Sequence, residues 1–124
     1  MPVPAAKYPF PRTMRLRDPL RFKQLFTEGF GVSRGMIKFF AAPNGDAVPR
    51  LGISISRRVG TAPRRNLIKR RLREAFRLMQ HDWPKGYDLV IVVRPHVPLP
   101  LAEYQRAMSA AMVKTVRKVE DSAG

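Results

Sequence analysis

One stretch of the chain, residues 62–77, concentrates side chains that suit phosphate. Its sequence is APRRNLIKRRLREAFR, in which Arg and Lys fill nearly half of the positions and Glu74 is the one acid. Arginine presents a planar fork of N–H donors with a permanent charge, and lysine adds a point charge. A helix with this much charge of one sign needs neutralisation from outside the chain, which favours a nucleic-acid backbone as its partner.

The stretch is predicted to be a helix with two different sides. At about 100° per residue, the apolar positions fall together and predict a core-facing stripe: Ile68, Leu72, Ala75, Phe76 and Met79. The opposite side carries a stripe of hydrogen-bond donors: Asn66, Arg70, Arg73 and Arg77, flanked by Lys69. Solvated helix faces usually mix both signs of charge, whereas this stripe has almost no acids, so we favour polyanion binding. Charge alone does not separate RNA from DNA.

The whole chain shares this positive charge. Its 124 residues contain 24 Lys and Arg against nine acids, a formal net charge of +15, and 44% are apolar. That length and composition predict one packed domain that seeks polyanions. Cysteine is absent, which excludes disulfides and thiolate metal sites. We expect a cytoplasmic protein, because no apolar run suits a membrane span or a secretory signal.

The remaining sequence predicts the elements that position the basic helix. Helices are predicted over 18–28, from about 62 to 80 and over 101–119, and strands over 36–42, 51–56 and 87–94, with a further short strand possible near 57–59. Asp18 and Thr61 are the expected helix caps, and Gly29 is expected to close the first helix. The fold class is therefore α/β (α+β), a two-layer sandwich in α-β-β-(β)-α-β-α order around a central mixed sheet. The domain boundaries are a flexible, basic, proline-rich tail over 1–14, one RNA-binding domain over 15–119, and a frayed C-terminus over 120–124.

Aromatic residues form a second group with chemical potential. Phe22 and Phe26 are one helical turn apart and read more readily as core than as platforms for bases. Phe39 and Phe40 are neighbours on a strand and so point to opposite faces, which makes one of them core and the other a candidate stacking platform. Residues 51–56 alternate, and their second face is small and polar: Gly52, Ser54 and Ser56. Such a face allows another chain to approach the sheet closely.

A catalytic site on the protein itself is poorly supported. The acids are scattered, so they do not predict the carboxylate cluster of a metal-dependent nuclease. His81 and Asp82 fall where the basic helix ends, and His96 lies in a proline-rich turn, which are ordinary positions for these residues. A non-catalytic RNA-binding module, such as a ribosomal protein or an RNA chaperone, fits the composition well.

A family resemblance narrows this choice. RRNLIKRRLREAFR resembles the signature of the protein subunit of bacterial ribonuclease P, carried here by Arg65, Asn66, Lys69, Arg70 and Arg73. DPLRFKQLFTEG, LGISISRRVGTAP and YDLVIVVRP are similar to the family's first helix, strand with turn, and last strand, so the resemblance spans residues 15–119. Leu67 is a departure, because many members carry Arg there, and it receives no site role.

The resemblance implies a function and a set of site residues. In this family the RNA subunit cleaves, using Mg²⁺, while the protein binds that RNA and the 5′ leader of precursor tRNA. The chain would thus be a subunit of a tRNA 5′-processing endoribonuclease, monomeric in a one-to-one complex with the RNA, with no membrane or small-molecule partner and no metal site of its own. The implied contacts to the catalytic RNA are Arg57, Arg58, Arg65, Asn66, Lys69, Arg70, Arg73 and Arg77. The implied leader-binding cleft contains Phe22, Phe26 and Phe39 beside Ser54 and Ser56. The family's left-handed βαβ crossover is implied on the same basis.

Overall fold

Three helices and four strands make up the described part of the chain. The computed structural model describes residues 15–45, 49–79, 82 and 86–123, so the predicted tail lies outside the described residues. The elements are α1 (Pro19–Glu28), β1 (Phe30–Arg34), β2 (Ile37–Pro43), β3 (Arg50–Ile55), α2 (Ala62–Leu78), β4 (Tyr87–Val93) and α3 (Leu101–Ala123). A 3₁₀ turn, Arg57–Val59, joins β3 to α2.

The strands form one mixed sheet in the order β1-β2-β4-β3. β2 pairs antiparallel with β1 and β4, whereas β3 runs parallel to β4, so α2 is the crossover between two parallel neighbours. Leu89, Val90 and Ile91 of β4 are completely buried, as the continuous apolar sequence of this strand predicted. The predicted fold class is confirmed, and α2 connects the edge strand β3 to its interior neighbour β4.

The two faces of the sheet have separate cores. On one face, Phe39 and Ile91 pack in the main core with Leu72 and Phe76 of α2 and with Tyr104 of α3. On the other face, α1 covers part of the sheet, with completely buried side chains at its centre: Leu25 from the helix and Val90 from β4. The predicted apolar side of α2 is therefore confirmed as a core face, and α2 must present its opposite side outward.

Both predicted helix caps are formed. The Leu20 N–H donates to Asp18 Oδ1 at 3.0 Å, and the Arg64 N–H donates to Thr61 Oγ1 at 3.4 Å. These contacts satisfy donors that a helix leaves unpaired in its first turn. Gly29 closes α1, and its N–H donates to Leu25 O at 3.0 Å.

Three elements differ from the prediction by more than a shift of one or two residues at an end. The prediction missed β1, an edge strand that contains Gly31 and whose pairing with β2 is a tertiary effect. The possible strand near 57–59 is wrong, because this segment makes the 3₁₀ turn. α3 continues to Ala123, so residues 120–123 are helical where a frayed end was predicted.

A buried carboxylate ties α1 to the sheet. Asp88 in β4 has no exposed surface and accepts hydrogen bonds from Arg50 Nε and Nη2, both at 2.7 Å, from Arg21 Nε at 2.7 Å and from Asn44 Nδ2 at 2.9 Å. Burial by itself raises the pKa of Asp88, but these donors outweigh it and the pKa is lowered. The sequence offered no role for Asp88; in the fold it fixes the position of the helix that carries Phe22 and Phe26.

Candidate nucleic-acid interface

The donor stripe of α2 lines a single groove. Its four residues and the flanking Lys69 border a concavity of about 460 Å³: Asn66, Lys69, Arg70, Arg73 and Arg77. Because the apolar side of α2 is buried in the main core, these side chains share the outward side of the helix. The structure thus brings together the residues that the sequence placed on one stripe.

Two further residues complete the groove. Arg15, from the segment before α1, lies across from α2 and lines the same concavity. Glu74 also lines it and accepts hydrogen bonds from Arg77, with 2.9 Å between Oε1 and Nε. The hydrogen bond from Arg77 lowers the pKa of Glu74 and raises that of Arg77. The same hydrogen bond orients the guanidinium of Arg77 along the helix. Glu74 is therefore paired within its own helix.

The centre of the groove is short of negative charge. Partial burial lowers the pKa of Arg73, and the positive charges of Arg15 and Arg17 lower it further. The smaller contributions from Arg15 and Arg17 reflect like charges that the fold places near Arg73. A bound anion would relieve this repulsion.

The turn before α2 presents the other predicted cations. Arg57 and Arg58 are exposed on the 3₁₀ turn, which the buried side chain of Val59 anchors in the core. Arg65 is directed towards the same turn, since its Nε donates to Gly60 O at 3.2 Å. These three arginines therefore flank the beginning of α2 and do not line the groove itself.

The aromatic cleft contains Phe40 where the sequence-based assignment has Phe39. Phe39 is completely buried in the main core, so it has no face on which a base could stack, and its predicted place in the cleft is wrong. Phe40 points to the opposite face of the sheet, where its ring meets Phe26 edge-on at 5.2 Å between centroids. Phe26 in turn meets Phe22 at 6.3 Å and keeps 41% of its surface exposed.

Small residues of β3 make room beside this aromatic group. Phe22 lies directly over Gly52: a Cβ built on Gly52 would be 2.4 Å from Phe22 Cζ. Ser54 is next along the same face and half-buried, and Ser56 follows the strand and is exposed. The predicted small, polar face is thus present, with Phe22 seated on its glycine.

Sequence reasoning missed a cation in this cleft. Lys38 Nζ lies 5.0 Å from the centre of the Phe40 ring, and the register places both residues on the same face of β2. A cation over an aromatic face attracts phosphate while the ring remains available to a base. Strand alternation places Lys38 and Phe40 on the same face of β2. This contact could have been predicted if it had been known that Phe39, and not Phe40, is the buried ring.

Among the described residues, His96 and Asp82 make structural contacts. His96 bridges Tyr104 Oη, at 2.7 Å from its Nε2, and Arg94 O, at 2.8 Å from its Nδ1, so it braces the loop before α3. The Asp82 N–H donates to Met79 O at 2.9 Å, the turn contact expected after a helix, while His81 lies outside the described residues. Among the residues described, no group of three or more His, Asp or Glu side chains could hold a metal ion. The groove's carboxylate is already bonded to Arg77, so this donor set does not suit Mg²⁺.

Comparison with known proteins decides the family. A family model described as Ribonuclease P matches residues 10–118. The chain belongs to the ribonuclease P protein family. A ribonuclease P protein from Thermotoga maritima is 30% identical, with a TM-score of 0.73 over 79% of this chain and 94% of that one. A Staphylococcus aureus ribonuclease P protein is 26% identical, with a TM-score of 0.71 over 79% and 91%.

Membership in this family defines the function at a coarse level. The chain is a protein subunit of ribonuclease P, a ribonucleoprotein enzyme that processes the 5′ ends of tRNA, and ribonuclease P RNA is its partner. Nothing in the comparisons favours a ribosomal protein or an RNA chaperone. No helix in the part of the chain that the structure describes is both apolar and long enough to cross a membrane.

Proposed function

We propose that the two surfaces bind different RNAs. The groove of α2, with Arg57 and Arg58 beside it, binds the catalytic RNA, and the cleft formed by Phe22, Phe26 and Phe40 binds the 5′ leader of precursor tRNA. The observation that carries this proposal is the separation of charge from aromatic surface. Cations crowd the outward side of α2, whereas the rings of Phe26 and Phe40 meet on the sheet face that α1 covers.

The chemistry of each surface suits its proposed ligand. Guanidinium groups in a concave, positively charged groove hold a folded RNA through its phosphates and so position it. Rings with a neighbouring cation hold a single strand, because every base has a face that can stack. The protein therefore positions leader and catalyst relative to each other, while the RNA subunit performs the cleavage with Mg²⁺. We place this complex in the bacterial cytoplasm, with one protein bound to one RNA.

Reconstitution tests this proposal. The purified chain is mixed with its catalytic RNA and precursor tRNA at low Mg²⁺, and cleavage at the 5′ end is measured with each component omitted in turn. We expect cleavage to require the RNA and to be stimulated by the protein. Cleavage by the protein without RNA, or no stimulation across a range of salt and Mg²⁺, would contradict the assignment.

A charge variant tests the α2 groove separately. Arg70→Gln should weaken binding to the catalytic RNA and reduce the slope of log K against log salt by about 0.7–0.9, the value for one phosphate contact. Arg117→Gln makes the same change on an exposed position of α3 and should leave the slope unaltered. Equal slopes for Arg70→Gln and the wild type would remove Arg70 from the interface.

A further inference from the structure

The segment before α1 is fixed against the edge of the sheet. Arg15 forms a parallel bridge with Leu51 of β3, and the Leu16 N–H donates to Leu51 O at 2.8 Å. Leu16 anchors the segment, since its side chain is buried in the core beneath α1. The arginines on either side of Leu16 are thereby held beside β3, the strand that leads into α2.

These arginines lie where the two proposed RNA surfaces meet. Arg15 and Arg73 line the α2 groove, and the same two residues line a second hollow, of about 230 Å³, together with Arg17. That second hollow extends to Phe22 and Gly52, which belong to the aromatic cleft. A continuous concave path therefore leads from the basic helix to the aromatic rings, with Arg15, Arg17 and Arg73 at its midpoint.

The three arginines at this midpoint concentrate positive charge. The two charges that act on Arg73, those of Arg15 and Arg17, are both positive, and Arg73 is itself half-buried. Like charges held close by the backbone destabilise the free protein and are stabilised by a bound anion. A phosphodiester group offers two oxygens that share a negative charge and accept several hydrogen bonds, which suits a hollow lined by three arginines.

We propose that Arg15, Arg17 and Arg73 jointly bind one RNA phosphate at the junction between the α2 groove and the aromatic cleft. This inference rests on the proposed function, because it requires RNA on both neighbouring surfaces. The bound phosphate belongs either to the catalytic RNA or to the precursor leader. The three arginines hold the point where one RNA surface gives way to the other, and so set the distance between leader and catalyst.

A double-mutant cycle distinguishes one shared phosphate from separate contacts. Arg17→Gln, Arg73→Gln and the double variant are compared with the wild type by the salt dependence of RNA binding. Each phosphate contact contributes a slope of about 0.7–0.9, so raising the salt from 50 to 200 mM weakens binding by about threefold per contact. A variant that loses one contact should therefore lose about threefold less affinity over this range than the wild type does. For a shared phosphate, the double variant should lose about one contact in total. A loss of two contacts, about ninefold over the same range, would overturn the shared site.

The choice of RNA assigns the phosphate. One arm uses the catalytic RNA alone, and the other compares leader-bearing precursor with mature tRNA on the reconstituted enzyme. If the losses of salt slope are non-additive in the first arm, the phosphate belongs to the catalytic RNA. If non-additive losses are confined to the leader-bearing substrate, the phosphate belongs to the leader. Arg17→Lys retains the charge and should recover most of the slope. The Tm of each glutamine variant should equal or exceed that of the wild type, because a like charge has been removed.

The outcomes separate this inference from the function on which it rests. If Arg70→Gln alters the slope while Arg17→Gln leaves it unchanged in both arms, the junction site is refuted and the α2 groove stands. If the wild-type protein binds neither RNA, the proposed function itself fails. Arg117→Gln on α3 serves as the matched control and should behave as the wild type in both arms.

Discussion

Two adjacent phenylalanines should respond to truncation in opposite ways. Phe39 is completely buried in the main core, whereas Phe40 lies on the other face of β2 against Phe26 and beneath Lys38. We expect Phe40→Ala to weaken leader binding with a modest effect on folding. We expect Phe39→Ala to destabilise the fold without selecting between substrates.

The magnitudes follow from what each ring contacts. Stacking of one base on an aromatic side chain contributes about 1–3 kcal/mol, so Phe40→Ala should reduce affinity for leader-bearing tRNA about 5- to 150-fold. Truncation of a buried phenylalanine costs about 3–5 kcal/mol, because apolar contacts are lost and a cavity remains. At about 4 °C per kcal/mol, Phe39→Ala should lower Tm by about 12–20 °C.

The assay compares two substrates on the reconstituted enzyme. Affinity is measured for precursor tRNA and for mature tRNA at a temperature where both variants are folded, and Tm is measured by circular dichroism. Phe40→Ala should change the ratio of the two affinities, and Phe39→Ala should leave that ratio at its wild-type value. If Phe40→Ala reduces the affinity for both substrates equally, the role of this ring is refuted. If Phe39→Ala changes the ratio of the two affinities, the assignment of the two rings to opposite faces is refuted.

Two further predictions concern the supports of the cleft. Asp88→Asn should lower the free energy of unfolding by about 2–4 kcal/mol at pH 7, because charge-assisted hydrogen bonds to Arg50 and Arg21 are lost. Because the folded-state pKa of Asp88 is lowered, this contribution to stability is present above the unfolded pKa of about 4 and is lost as the pH falls below it. Urea unfolding from pH 7 to 3 compares the wild type with Asp88→Asn, and Asp121→Asn serves as the control. A difference in unfolding free energy that stays constant over this range would contradict the prediction. Gly52→Ala should cost about 1–3 kcal/mol by overpacking against Phe22, whose Cζ would be 2.4 Å from the new Cβ. Phe22→Leu in the same chain should recover stability in thermal unfolding, and an undiminished loss in the double variant would show that Phe22 is not the obstacle.

Local sequence rules predicted the basic helix well. The separation of Ile68 and Phe76 from Arg70 and Arg73 follows from helical periodicity alone, and the structure buries the first pair while the second lines the groove. The caps at Asp18 and Thr61 are equally local, since each side chain bonds a backbone N–H two or three residues away.

Features that depend on distant partners escaped prediction. β1 forms because β2 offers it a ladder, and its own sequence, with a glycine at its second position, carries little strand preference. Asp88 read as one of several scattered acids, yet it meets Arg21 and Asn44 from positions 67 and 44 residues away. No local pattern encodes a contact of that kind, because it exists once α1, the turn after β2 and β4 have assembled.

The sequence by itself determined the chemistry of this protein, since charge and helical period point to a polyanion and the family signature points to RNA. Only the tertiary structure decided which side chains share a surface. Strand alternation states that Phe39 and Phe40 face opposite ways, but the side on which α2 and α3 pack decides which ring remains open to a ligand. The bridge between Arg15 and Leu51 likewise carries a distant arginine into the groove of α2. Backbone periodicity is a local property, whereas the identity of the covered face is a property of the assembled core.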